Sequence, residues 1–173
     1  MIGVVKNITI SIREMTPEDW CNVAEIYWQG ILTGNATLES AVPAYEAWNA
    51  AHAQKCRLVA VADGEAVGWA ALSPVSLRRV YAGVAEVSVY ISEKRRRQKI
   101  GQKLLNTLIE ESEKEGYWTL QSSISTDNFP SVALHHKCGF RTVGVRERLG
   151  RDPKGRWRDI LLLEYRSAKI GID

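Results

Sequence analysis

Apolar and polar positions alternate in short runs at several places along the chain, and between these runs the apolar repeat lengthens to that of a helix. Ile8, Ile10 and Ile12 alternate with Thr9, Ser11 and Arg13, the period-two pattern of a half-buried strand. Thr16-Pro17-Glu18-Asp19 then supplies a helix start: a Thr N-cap, proline at the first helical position and an acidic first turn. Trp20, Val23, Ala24, Tyr27 and Ile31 follow at helical spacing and predict one core-facing stripe. Residues 33–42 carry no period and predict a loop, followed by a short helix around Pro43 to Ala53. A loop of that length is a common place for function.

From Arg57 to Leu72 two strand-like runs flank Asp63-Gly64, a hairpin signal. The next strand, Ala85 to Ile91, puts Glu86, Ser88 and Tyr90 on one face and Val87, Val89 and Ile91 on the other. Ile100, Leu104, Leu105, Leu108 and Ile109 mark a long amphipathic helix ending near Gly116, a plausible C-cap glycine. Trp118 to Ile124 predicts a strand, and Asn128 to Cys138 a short helix with Pro130 in its first turn and Gly139 just beyond it. Two last strands, Phe140 to Val145 and Trp157 to Tyr165, flank a glycine-containing polar loop at Leu149 to Arg156. No internal repeat, low-complexity tract or linker interrupts the 173 residues, so a single domain, 1–173, is expected.

Composition narrows the class. With 45% hydrophobic and 25% charged residues, the chain belongs among ordinary globular domains. It has no apolar run of membrane-spanning length, and Met1 to Ile12 lacks the features of a secretion signal, so a cytoplasmic location with no membrane partner is expected. Cys21, Cys56 and Cys138 are odd in number and widely spaced, which argues against a disulfide framework or a metal site. A net charge of +3 is too balanced to indicate nucleic acid. The charge is local instead: Lys94, Arg95, Arg96, Arg97 and Lys99 cluster where the central strand turns into the long helix.

That strand, basic turn and helix start form the most informative feature. Free N–H groups at a helix start and the positive end of its dipole attract phosphate. Arg96 and Arg97 add charge, and Gly101 allows close approach to the backbone. A solvated basic turn on an ordinary helix is the competing reading. A P-loop and a dinucleotide fingerprint are both missing, since neither Gly-Lys-Ser/Thr nor G-x-G-x-x-G occurs.

The run Tyr90 to Leu105 resembles the acetyl-CoA motif of the GCN5-related N-acetyltransferase (GNAT) superfamily, matched at Arg96, Ile100 and Gly101, with Lys99 where a glycine is usual. Asn128, Ser131, His135 and Cys138-Gly139-Phe140 resemble the second half of the same cofactor site. Within the superfamily, Ala36-Thr37-Leu38-Glu39, Ala85 to Ile91, Pro130 to His135 and Gly155-Arg156-Trp157-Arg158-Asp159 are similar to the phosphinothricin and methionine sulfone acetyltransferase branch. Leu38 stands where that branch has an aromatic residue.

The resemblance implies an α+β fold with helices on both faces of a mixed, mostly antiparallel sheet, splayed between two parallel strands at a gap often opened by a bulge. It implies a homodimer. It implies acetyl-CoA as cosubstrate, no metal, and a small amino-acid-like amine as acceptor. Val89, Tyr90, Ile91, Arg96, Arg97, Gln98, Lys99, Ile100, Gly101, Gln102, Asn128 and Ser131 would hold the cofactor, with backbone contacts from Val89 and Ile91. Glu86 is the candidate general base and His135 the candidate group at the departing thiolate, against bland readings as an ion-paired carboxylate and a structural histidine. Thr37, Glu39, Arg78, Tyr81 and Trp157 are candidate acceptor contacts, with Arg78 or Arg79 gripping a carboxylate, Glu39 or Tyr81 placing the ammonium end, and Trp157 and Asp159 closing the floor. The rival readings are a GNAT enzyme of polyamines, aminoglycosides or protein N-termini, a non-catalytic CoA-binding domain, and a nucleic-acid binder acting through Lys94 to Lys99.

Overall fold

The computed structural model describes residues 9–172. Seven strands form one sheet, β1 (Ser11–Glu14), β2 (Arg57–Ala62), β3 (Glu65–Pro74), β4 (Val84–Ile91), β5 (Thr119–Ser125), β6 (Arg141–Arg151) and β7 (Trp157–Arg166). Their spatial order is β1-β2-β3-β4-β5-β7-β6. Every neighbouring pair is antiparallel except β4–β5, which is parallel. The helices are α1 (Trp20–Leu32), α2 (Tyr45–Ala51), α3 (Ile100–Lys114) and α4 (Phe129–Lys137). This is the expected α+β architecture with helices on both faces.

Strand alternation sorts the core into two layers. On one face Leu58, Ala60, Ala70, Leu72, Ala85 and Val87 pack with Leu104, Leu105 and Leu108 of α3. On the other, Val59, Trp69 and Ala71 pack with Val23 and Ile26 of α1 and Trp48 of α2. β4 obeys the predicted split, since Val89 and Ile91 lean on the α3 layer and Tyr90 on the α1 layer. Ile26 belongs to the buried face of α1 as well, an addition to the predicted stripe.

Several boundaries differ from the sequence reading. Ile8 lies outside the described residues, and the first strand runs Ser11–Glu14. Pro17–Asp19 forms a 3₁₀ turn and the α-helix starts at Trp20. Asp19 explains the tight entry: its carboxylate accepts from the Thr16 amide at 2.8 Å and pairs with Arg13 at 2.7 Å. The largest difference is in β6, which continues to Arg151 and so takes in part of the predicted 149–156 loop. It stays paired with β7 although the register shifts at two bulges, between Thr142 and Gly144 and between Arg146 and Gly150. Bulges of this kind twist an edge strand and blunt its open edge.

The parallel pair is short. Only Val84↔Thr119, Ala85↔Leu120 and Glu86↔Gln121 are in register, after which β4 and β5 part. The gap opens without a bulge in β4, whose register with β3 is continuous from Ala85 to Ile91. A bulge lies instead between β2 and β3, at Ala60/Val61.

The closed end of the gap is fastened at Gly83, whose carbonyl accepts from both Trp118 at 2.8 Å and Thr119 at 3.1 Å. A Cβ on Gly83 would sit 2.1 Å from the Trp118 ring, which lies flat on this glycine. Gly83→Ala is therefore expected to lower stability by about 1–3 kcal/mol, the usual range for overpacking, in urea unfolding. An unchanged midpoint would show that Trp118 moves aside freely.

Candidate active site

The gap between β4 and β5 leads into a cavity of about 290 Å³. Its walls are Glu86 to Tyr90, Ser122 to Ser125, the loop 35–39, Tyr27, and Asn128, Ser131 and His135 of α4, with Leu149 and Ile160 at one end. Glu86 is the last β4 residue in register with β5, so its carboxylate sits at the apex. Its carboxylate accepts a hydrogen bond from Gln121 Nε2 at 2.9 Å. That contact is neutral, in place of the ion pair of the bland reading.

Backbone direction follows from two bonds outside the regular ladders. Ser92 N–H donates to Val67 of β3, and the Gly83 carbonyl faces β5. Successive residues of a strand direct their amides to opposite sides. Even-numbered residues of β4 thus face β3, and Val89 and Ile91 direct their N–H groups into the gap, where no strand pairs with them.

The basic turn has the backbone of an anion cradle. Arg97 and Lys99 both adopt left-handed conformations, φ 63° and 60°. Between them and α3, the first amide to make a helical bond is Lys103, to the Lys99 carbonyl at 3.1 Å. The amides of Ile100, Gly101 and Gln102 are consequently the free donors of the helix start. Lys99 therefore keeps the backbone that a glycine would adopt there, at a conformational cost. Gly101 has a packing reason for lacking a Cβ, which would stand 3.0 Å from Leu134 of α4. The turn is also tied down by the Glu93 amide to Gln29 at 2.9 Å and by Arg95 to Asp63 at 2.8 Å.

His135 is 1% exposed and packs edge-on to Phe140, with ring centroids 4.9 Å apart. Its Nδ1 lies 2.8 Å from the Ser131 carbonyl, which can only accept, so Nδ1 carries the proton and Nε2 the lone pair. Nε2 is buried without a partner among the described residues. Burial above all holds the ring's pKa below its ordinary value. Asn128 caps α4, accepting from Ser131 N–H at 3.3 Å, and its Nδ2 donates to the Asn35 carbonyl at 3.3 Å. The 33–42 loop is thereby pinned over the cavity. Gly150 lets it approach, since a Cβ there would meet Leu38 at 2.5 Å, and Gly30 leaves room for the Tyr90 ring, which a Cβ would meet at 2.6 Å.

The model of the acetyltransferase (GNAT) family matches residues 18–140. This chain is a GNAT acetyltransferase. Over 165 residues it is 28% identical to an L-methionine sulfoximine/L-methionine sulfone acetyltransferase of Pseudomonas paraeruginosa, covering 91% of this chain and 94% of the relative. It is 31% identical to a phosphinothricin N-acetyltransferase of Alcaligenes faecalis, covering 89% and 81%. Among solved structures it is similar to a phosphinothricin acetyltransferase from Sinorhizobium meliloti in complex with acetyl-CoA (TM-score 0.85, 25% identity, 95% and 92% covered). It is also similar to a ribosomal-protein-alanine N-acetyltransferase from Brucella melitensis (TM-score 0.83, 28% identity, 91% and 99% covered).

Within this GNAT fold the structure gathers Thr37, Glu39, Glu86, Val89, Tyr90, Asn128, Ser131 and His135 around one cavity. Three of the proposed acceptor contacts stand elsewhere. Arg78 stacks over Tyr81 at 5.4 Å on an exposed connection after β3, and neither lines the cavity. No apolar anchor draws that connection inward, and Leu77 is fully exposed. Trp157 is neither core nor floor: it is 53% exposed, with Arg151 over its ring at 4.4 Å, and it and Asp159 line a separate cleft. The cavity is also lined by residues outside the expected set, among them Tyr27 and three serines of β5. Tyr27 belongs to the core-facing stripe of α1, and that stripe also borders the cavity. Ser122, Ser123 and Ser125 carry a visible signal, polar residues in an interior strand. Among the described residues no cluster of three His, Cys, Asp or Glu is placed to hold a metal, and no helix is long and apolar enough to cross a membrane.

Two outcomes follow. Lys99→Gly is expected to raise stability by about 0.5–1 kcal/mol, seen as a higher denaturant midpoint, because it removes the left-handed penalty; a lower midpoint would contradict the assigned backbone. His135 is neutral when folded and has a pKa near 6.5 when unfolded, so the unfolded chain binds the extra proton in acid. Stability should fall as pH drops through about 6.5, and His135→Asn should flatten that slope in thermal melts from pH 7.5 to 5. An identical slope in the variant would count against a buried neutral ring.

Proposed function

We propose that this enzyme transfers the acetyl group of acetyl-CoA to the primary amine of a small amino-acid-like acceptor, of the methionine sulfone, methionine sulfoximine or phosphinothricin type. The observation that carries the reading is the carboxylate of Glu86 at the apex of the β4–β5 gap, with the unpaired amides of Val89 and Ile91 along the β4 edge beyond it. The names of the relatives supply the acceptor class. A homodimer, implied by the family resemblance, and a cytoplasmic location, expected from the sequence, belong to the same reading.

Acetyl-CoA fits the residues present. Its diphosphate suits the free amides of Ile100, Gly101 and Gln102 beside Arg96, Arg97, Gln98 and Lys99, and its amide-bearing arm suits the edge of β4 at Val89 to Ile91. Bound there, it supplies an acyl group activated as a thioester.

The chain's residues do the rest. An amine is mostly protonated at neutral pH and attacks only through its free lone pair. Glu86 removes that proton, directly or through one water, while Gln121 fixes the carboxylate's orientation. A β4 amide facing the gap meets the carbonyl oxygen as charge develops on it, a type of contact worth about 2.7–4 kcal/mol where deletion has been measured. As the amide C–N bond forms the thioester C–S bond breaks, and the departing thiolate takes its proton from solvent, because the Nδ1 bond to Ser131 leaves His135 a lone pair and no proton on Nε2. Thr37 and Glu39 line the acceptor side.

Glu86→Gln is expected to keep acetyl-CoA binding by calorimetry, lose about 100-fold or more in turnover at pH 7, and recover partly as pH rises. Free-thiol release with a panel of amines measures it. Unchanged turnover would remove Glu86 from the mechanism, and robust acetylation of a peptide or polyamine with none of the three named acceptors would overturn the acceptor class.

A further inference from the structure

We infer that Arg148 grips the carboxylate of the acceptor from a second cleft that borders the cavity, an assignment that rests on the acetyl-transfer reading above. The second cleft, about 410 Å³, is lined by Thr126, Asp127, Arg148, Arg156, Trp157, Arg158 and Asp159. Three strands carry the two spaces side by side: Ser125, Leu149 and Ile160 line the cavity, and their chain neighbours Thr126, Arg148 and Asp159 line the cleft. The Ser125 hydroxyl joins them, donating to Asp127 at 2.9 Å and accepting from Arg158 at 3.0 Å. In this assignment the acceptor's amine lies at Glu86 and its carboxylate across this boundary.

Charge in the cleft is almost fully matched. Arg158 pairs with Asp127 and approaches Asp152 at 3.5 Å, and Arg156 pairs with Asp152 at 2.7 Å. The Asp159 carboxylate accepts from the backbone amide of Arg148 at 2.8 Å. The Arg148 guanidinium itself takes part in no ion pair or hydrogen bond among the described residues. It is the cleft's guanidinium without a partner among the described residues, and its planar fork suits a carboxylate bidentately.

The backbone at Arg148 is held in an unusual shape. Between the pairs Arg146↔Ile160 and Gly150↔Arg158, β6 has three residues where β7 has one. Arg148 sits inside that bulge with φ 47°, a left-handed conformation in a non-glycine residue. Such a bulge re-aims a side chain, and the Asp159 contact keeps it so. Arg78, the earlier candidate for this role, lies away from both spaces.

The test compares methionine sulfone with its primary carboxamide as acceptors, in the full chain and in Arg148→Ala and Arg148→Lys. The full chain should prefer the carboxylate. Arg148→Ala should raise KM for the acid about tenfold or more, leave KM for acetyl-CoA and turnover of the carboxamide within about twofold, and so erase the preference. Arg148→Lys should restore part of it. An unaltered acid-to-amide ratio in Arg148→Ala, or no such preference in the full chain, overturns the assignment of Arg148 alone. Failure of the full chain to acetylate any amine overturns the acetyl-transfer reading, and this inference with it.

Discussion

A parallel strand pair that stops after three registered residues leaves main-chain donors facing open space, and the site depends on that interruption. β4 and β5 part after Glu86 and Gln121. Unpaired amides inside a protein are costly unless a ligand or water satisfies them. Here the same divergence produces the cavity and places a carboxylate at its apex, so binding and proton removal share one structural cause. β4 can tolerate the loss because β3 pairs with it along its whole length.

The surroundings hold this arrangement from three sides. Gly83 fastens the closed end under Trp118. The cap of α4 ties the 33–42 loop across the mouth through Asn128 and Asn35. The bulged β6 brings Leu149 and Arg148 to the far end. Below the basic turn, Gly101 lets α3 lie against Leu134 of α4, so the helix that offers the free amides packs beside the helix that carries His135.

Much of this was legible in the sequence because local chemistry determined it. Alternation in Ala85 to Ile91 assigned Glu86 and the gap-facing valines to opposite faces, and the structure keeps that split. Asn128 and Pro130 announced α4, and Gly116 ended α3. What was not legible is what depends on long-range packing. The direction of the Arg78 connection and the exposure of Trp157 follow from where distant elements leave room. The extension of β6 through Gly144 and Gly150 was hidden because glycines normally signal a loop, whereas here they sit at bulges on an edge strand. Tyr27 shares a helical stripe with true core residues, and periodicity alone cannot separate a buried face from one that borders a cavity.

The most direct test of the central claim is amide hydrogen exchange of the protein with and without saturating acetyl-CoA. If the β4 edge and the start of α3 form the cradle, exchange should slow at Val89, Ile91 and Ile100 to Gln102, and little at the outer strands β1 and β6. Binding with protection confined to other parts of the chain, or no binding at all, would contradict it.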